Sequence, residues 1–268
     1  MIQTFIQYLK TNRGLSENTT RSYENDLRDF ASFARDRWPN SRWSQIQKWQ
    51  IDAYVSYMVN EEYEPATIKR HIAALRTYYK TIMALGMMND NPARYVSTPK
   101  LRTQLPKTIE KEAITKSLED PNTDPQAKAA IAIIYETGIR LQELIDLQAS
   151  SINPSNSSIT IEGKGKKQRT VYYGTLTRQY GRKWKAGTHT QREVRHLVYQ
   201  ALKRYSKAPQ LSPHALRHTF ASEMLNNGAS ITEISKLLGH EHIETTEVYA
   251  HLSNSQTQQR YLTFAPTL

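Results

Sequence analysis

The chain of 268 residues carries 36 Lys and Arg against 25 Asp and Glu, a net charge of +11, and no cysteine. That length suits two modest domains or one large one. The missing cysteines exclude disulfides, thiolate metal sites and a cysteine nucleophile. No stretch approaches the ~20 apolar residues of a membrane span, and Met1-Ile-Gln-Thr-Phe-Ile has neither the basic start nor the apolar run of a signal peptide. A cytoplasmic protein is expected.

The first hundred residues read as helices. Ile2, Phe5, Ile6 and Leu9 repeat at helical spacing. Ser16 is a good N-cap, and Tyr23, Leu27, Phe30 and Phe33 form a stripe up to about Arg35. A third helix is expected from about Gln50 to Glu61. In the fourth, Pro65 fits the first turn, Ile68, Ile72, Leu75, Tyr79 and Ile82 share a face, and Gly86 ends it. The other face carries Lys69, Arg70, Arg76 and Lys80, which read either as an edge contacting phosphates or as an ordinary solvated face. Asn91-Pro92 closes this unit. Ser97 to Pro106 lacks periodicity and holds two prolines, as an extended linker does. The expected division is a helical domain over 1–96, a linker over 97–107 and a second domain over 108–268.

The second unit is expected to start with Asp124-Pro125, a cap followed by proline, with Ile131, Ile134 and Tyr135 facing a core. Gly138 breaks this helix and Arg140 to Leu147 resumes it. A β-hairpin follows, from Ser158-Ile-Thr-Ile-Glu162 through Gly163-Lys-Gly165 to Gln168-Arg-Thr-Val-Tyr-Tyr173. Helices are expected at about 190–206, 213–226, 231–238 and 244–252, with room for a short one before Pro266. Between Lys164 and Lys207 stand thirteen Lys and Arg and one acid, Glu193. Such a stripe suits a polyanion, and nucleic acid is the expected one.

Chemistry concentrates near the C-terminus. His214 and Arg217 stand three apart and share a helix face. A guanidinium binds phosphate through two parallel hydrogen bonds, and a histidine beside it moves protons near neutral pH. His240 and Tyr249 follow. His214 and His218 also have the spacing of a metalloprotease helix, but Ala215 stands where its glutamate would be. Nothing resembles a phosphate-cradling loop or a carboxylate cluster for magnesium, so neither metal nor nucleotide cofactor is expected.

The strings Thr137-Gly-Ile-Arg-Leu-Gln-Glu-Leu144, Gly163-Lys-Gly-Lys-Lys-Gln-Arg169, Ser212-Pro-His-Ala-Leu-Arg-His-Thr219 and Leu237-Leu-Gly-His-Glu-His-Ile-Glu-Thr-Thr-Glu-Val-Tyr249 together resemble the tyrosine recombinase family, which includes the Xer recombinases, Cre and phage integrases. Gly14-Leu-Ser-Glu-Asn-Thr-Thr20 and the Pro99-to-Lys107 segment resemble its N-terminal half and linker. The resemblance spans nearly the whole chain. It implies a mainly α fold with a small β-sheet: an all-helical core-binding domain followed by an α+β catalytic domain.

It also implies a site-specific DNA recombinase working through a 3′-phosphotyrosine, with Tyr249 as nucleophile. Arg140 and Arg217 would clamp the scissile phosphate. Lys164, with Lys166 and Lys167 as rivals, would protonate the leaving 5′-oxygen. His214 would take the tyrosine proton or bond the phosphate, and His240 would donate to a phosphate oxygen. Glu143 would orient Arg140 or a histidine, unless it is an ordinary helix ion pair. His218 reads as structural. Lys166, Lys167 and Arg169 join Lys69, Arg70, Arg76 and Lys80 as candidate DNA contacts. The partners implied are double-stranded DNA with a recombination site and three further copies of the chain, with Thr257 to Phe264 docking on a neighbour. The form resembled is the minimal two-domain one, without an arm-binding domain.

The polar, basic stretch Thr175 to Gly187 departs from the Xer pattern, and a loop is expected where the family has a helix. The rivals are a type IB topoisomerase, a telomere resolvase, and a non-catalytic regulator, since Ala229 to Gly239 resembles a helix-turn-helix core. The complete set of reactive residue types argues against the last.

Overall fold

The structure is a computed structural model that describes residues 1–15, 17–99, 107–163 and 168–239. It divides into two compact units, Met1–Arg102 and Thr103–Leu268. Among the described residues, no helix is long and apolar enough to cross a membrane.

The first unit is built from α1 (Ile2–Arg13), α2 (Glu17–Arg37), α3 (Lys48–Asn60) and α4 (Pro65–Ala84). The periodic residues of each form one core: Phe5 and Leu9, Leu27 and Phe30, Ile51 and Met58, Ile72 and Leu75 are all fully buried. Aromatic edges lock it. Phe30 meets Trp43 and Tyr54 edge-on at 5.5 and 5.2 Å, the arrangement that ring quadrupoles favour.

Helix α4 does not present its basic residues evenly. Lys69 and Lys80 are exposed. Arg70 reaches back to α2, bonding Ser22 Oγ at 2.8 Å and pairing closely with the buried Asp26. Arg76 donates to the carbonyls of Ala93 and Val96 at 3.2 and 2.5 Å. Arg76 therefore pins the end of the unit, and the expectation that all four face phosphates does not describe its contacts.

Asp26 also meets His71 Nε2 at 3.2 Å, and His71 Nδ1 meets the Tyr54 hydroxyl at 3.0 Å. Burial pushes Asp26 up to about 6 and pushes His71 down. Ligand atoms of Asp26, Asp29 and His71 lie within 4.8 Å of one another, but the Arg70 guanidinium already supplies the positive charge there.

The second unit is organised around α6 (Pro125–Thr137), whose Ala129, Ala130, Ile131, Ala132, Ile133 and Ile134 are all buried. A helix apolar on nearly every side belongs inside. Asp124 starts it, accepting from the backbone N–H groups of Gln126 and Ala127 at 2.7 and 3.1 Å. Around it pack α5 (Lys111–Glu119), α7 (Leu141–Ile145), α8 (Thr175–Tyr180), α9 (Gln191–Leu202) and α10 (Pro213–Asn226). Helix α11 (Ile231–Leu238) packs on α10 through Phe220, Ala221, Leu225, Ile234 and Leu238.

The sheet is antiparallel, in the order β1 (Ile152–Asn153), β2 (Ser158–Glu162), β3 (Gln168–Tyr172). Its β2–β3 register pairs Ile159 with Val171 and Glu162 with Gln168. Ile159, Ile161 and Val171 enter the core while Thr160 and Tyr172 face out, the period-two alternation read from the sequence.

Three short elements depart from expectation. Helix α5 and strand β1 were not anticipated, because nine and two residues carry too little periodicity. The loop expected over Thr175 to Gly187 is instead α8 followed by a 3₁₀ turn, Gly181–Lys183. Its start is held from a distance: the Glu136 carboxylate of α6 accepts from the N–H groups of Gly174, Leu176 and Thr177 at 2.9, 3.0 and 2.8 Å. This carboxylate serves as the cap that the local sequence lacks.

Candidate active site

Four elements converge at the C-terminal end of α11. Gly239 follows it in the left-handed region, φ 63°. Three arginines from elsewhere in the chain bind three consecutive carbonyls at this end, those of Leu237, Leu238 and Gly239. Arg169 of β3 donates from Nε to Leu237 O at 2.9 Å. Arg217 of α10 donates from Nη2 to Leu238 O at 2.8 Å. Arg140, the residue before α7, donates from Nη2 to Gly239 O at 2.7 Å. A helix C-terminus presents unpaired carbonyls and the negative end of the dipole, so this end is a natural seat for cations.

Arg217 is 5% exposed, and its Nη1 also reaches Gly138 O at 2.6 Å. Both glycines at this junction are required by geometry. Gly138 adopts φ 64°, and a Cβ there would fall 2.4 Å from the Phe220 ring and 2.9 Å from Leu238. At Gly239 a Cβ would stand 3.0 Å from Arg169 Cδ, Nε and Nη1. The Gly break after α6 thus places Arg140 within reach of the α11 terminus.

Glu143 binds two of these arginines together. It accepts from the Arg140 backbone N–H at 2.7 Å and from Arg140 Nη1 at 2.9 Å. It also receives both Nη atoms of Arg169, at 2.8 and 2.7 Å. Burial pushes this carboxyl up, but the bonds from Arg169 and Arg140 outweigh it and hold the group down at about 2. Glu143 is therefore ionised throughout the neutral range. Arg140 keeps a side chain 45% exposed.

His214 lies one turn before Arg217 on α10 and is exposed. Its ring meets that of His218 edge-on, centroids 4.2 Å apart. Burial of part of the ring, then the Arg217 charge, pushes the His214 pKa below its usual value. His214 is thus neutral near pH 7, the form that accepts a proton.

The structure accordingly brings together Arg140, Glu143 and Arg217, with His214 on the helix that carries Arg217. Lys164, Lys166, Lys167, His240 and Tyr249 lie outside the described residues. Arg169 differs from its expected place. By sequence it is a candidate DNA contact, yet its side chain is 13% exposed and all three guanidinium nitrogens are bonded to protein. Of the ten described Lys and Arg between Lys164 and Lys207, nine are exposed: Arg178, Arg182, Lys183, Lys185, Arg192, Arg195, Lys203, Arg204 and Lys207.

Comparison with known proteins places this architecture. Residues 107–256 match the phage integrase family and residues 2–86 match its N-terminal SAM-like domain. The chain belongs to this family, the tyrosine recombinases, enzymes that transfer DNA strands at specific sites. It is 32% identical to the tyrosine recombinase XerC of Staphylococcus haemolyticus, covering 98% of this chain and 96% of the relative. It is 27% identical to the tyrosine recombinase XerD of Oceanobacillus iheyensis, covering 99% and 98%. Among solved structures, the Tn1549 transposon integrase in complex with transposon right end DNA superposes with a TM-score of 0.79 at 17% identity, over 99% of each chain. The XerH recombinase bound to its difH substrate gives 0.72 at 19%, over 97% of this chain and 84% of that one. These two likenesses establish the shared fold.

Proposed function

We propose that the active site of this recombinase consists of Arg140, Lys164, His214, Arg217, His240 and Tyr249, with Glu143 supporting Arg140. The observation that carries this reading is the convergence of Arg140 and Arg217 on Gly239 and Leu238, the two residues that precede His240. Two guanidiniums from distant parts of the sequence, held at adjacent carbonyls, are preorganised for one small anion. Preorganised charge costs no rearrangement as negative charge develops in the transition state.

The reaction follows from these groups. The Tyr249 phenol oxygen attacks the scissile phosphorus, and its proton passes to His214, which is neutral at pH 7. The P–O bond to the 5′-oxygen breaks, and Lys164 gives that oxygen its proton. Arg140, Arg217 and His240 stabilise the phosphorane charge. The products are a 3′-phosphotyrosyl bond and a 5′-hydroxyl. Attack by a 5′-hydroxyl of a second strand reverses each step and releases the tyrosine. Phosphodiester energy is conserved, so the scheme uses no nucleotide, and no step assigns a role to a metal.

The partner in this reading is double-stranded DNA carrying a recombination site. The exposed basic residues from Arg178 to Lys207, together with Lys69 and Lys80, supply charge for phosphate contacts, as would Lys166 and Lys167. The domains are a core-binding domain over 1–96, a linker over 97–107 and a catalytic domain over 108–268. Strand exchange between two duplexes needs four nucleophiles and hence a homotetramer, with the C-terminal tail docked on a neighbour. The place of action is the cytoplasm, at the nucleoid.

The test uses a duplex enriched by the protein from a random pool, nicked so that the short cleaved fragment bearing the new 5′-hydroxyl diffuses away. An SDS-resistant adduct carrying only a label placed on the 3′-phosphate side of the break is expected. A tight complex with no adduct would indicate a regulator, and an adduct on the 5′ side would overturn the polarity.

A further inference from the structure

Arg169 was expected on the DNA and is found elsewhere, with three bonds to groups of the active site. Resting on the reading of Arg140 as a phosphate ligand, we propose that Arg169 is a positioning residue for strand cleavage. It neutralises Glu143 and so leaves Arg140 with a net positive charge to offer the scissile phosphate.

Glu143 fixes Arg140 through the backbone N–H and Nη1. A carboxylate that binds a guanidinium also cancels its charge, and a neutral pair is a poor ligand for a phosphate. Arg169 resolves this conflict. Its Nη atoms meet the two Glu143 oxygens at 2.8 and 2.7 Å, the fork-to-fork geometry of the strongest arginine–carboxylate pairs. Two guanidiniums about one carboxylate leave one net positive charge. Glu143 can then orient Arg140 without consuming it.

The second contact adds register. Arg169 Nε holds Leu237 O, next in line to the carbonyls held by Arg217 and Arg140. Lysine cannot reproduce this, because one ammonium offers no planar fork for two oxygens and a carbonyl together. Arg169 is thereby a link between the β3 strand that follows Lys164 and the α11 terminus that precedes His240. It ties together the two segments that bring the remaining catalytic groups.

Four full-length proteins are compared: wild type, Arg169→Ala, Arg169→Lys and Arg140→Ala. Each is given the nicked, pool-enriched duplex, and single-turnover adduct formation and duplex affinity are measured. A second substrate carries methyl in place of one non-bridging oxygen, so the scissile phosphate bears no charge. Arg140→Ala should slow cleavage of the ordinary substrate by roughly 10²-fold, the usual effect of losing one charge-stabilising donor. Arg169→Ala should slow it by about tenfold or more, with Arg169→Lys between it and wild type, while affinity changes by less than about threefold. On the uncharged substrate both alanine defects should shrink together, because the charge that Arg140 stabilises is gone.

An Arg169→Ala defect of equal size on both substrates would mean a structural role only and would overturn the proposal. If Arg169→Ala does not fold, Arg169→Lys provides the same comparison. Weakened affinity with normal cleavage of bound duplex would restore Arg169 as a DNA contact and overturn it as well. A fast Arg140→Ala enzyme would instead remove Arg140 from the site, and with it the foundation of this inference.

Discussion

At the scale of single residues, the site is a problem of charge control. In the proposed site, Arg140 and Arg217 are to be cationic and rigid without being quenched, and His214 is to be neutral to take a proton. The sign for His214 follows from its surroundings. Burial and Arg217 both disfavour the imidazolium, so protonation occurs below the ordinary value of 6.5. Cleavage measured in single turnover should therefore fall to half its plateau rate only below pH 6.5. An acid limb centred at or above 6.5 would contradict His214 as the proton acceptor. Glu143, held at about 2, contributes stability that is complete above its ordinary 4.5 and is lost as pH falls toward 2. It leaves the neutral profile untouched. Much of this was legible from short strings, since Arg140 with Glu143 and His214 with Arg217 are neighbours on local helical spacing. Arg169 was not. Its partners lie 26 and 68 residues away in sequence, and the only local signal, a run of lysines, pointed to solvent and DNA.

At the scale of elements, the junctions matter more than the helices. The long helices of the first unit and α6, α10 and α11 could be read from periodicity and caps. Their ends fall where Ser212, Asp124 and the glycines place them. Helix α5 and β1 are too short for a period to declare itself. Helix α8 was hidden for a different reason: its cap is Glu136, on another helix. The glycine junctions give a sharp expectation. Gly138→Ala forces both a left-handed backbone and a 2.4 Å contact with Phe220, which should destabilise the catalytic unit by roughly 2 kcal/mol or more. Gly14→Ala has the same backbone sign, φ 55°, but open space around it, so about 1 kcal/mol is expected. Urea unfolding of the two variants provides the comparison. Equal losses would mean that Phe220 and Leu238 yield freely and that the junction is not tightly set.

At the scale of the whole molecule, two separately cored units and a strongly basic chain suit a protein that binds DNA with both. The division near residue 100 was readable because the periodic helices stop at Gly86 and prolines follow. The expectation that the tail docks on a neighbour rests on resemblance alone. Deleting Gln256 to Leu268 removes none of the proposed catalytic groups, so it should spare binding of one duplex and single-strand cleavage while lowering synapsis and strand exchange. Sedimentation of the protein–DNA assembly with and without the tail measures this, and unchanged tetramer formation with unchanged exchange would rule out docking on a neighbour. The central claim is that one tyrosine among sixteen is the nucleophile of a charge-clamped phosphoryl transfer. It is tested most directly by incubating wild type and Tyr249→Phe with the nicked duplex and mapping the SDS-resistant adduct by peptide mass. The account predicts an adduct on the Tyr249 peptide of wild type and none from Tyr249→Phe, which should still bind the duplex with wild-type affinity. An adduct from Tyr249→Phe, or one mapped to another residue of wild type, would contradict it.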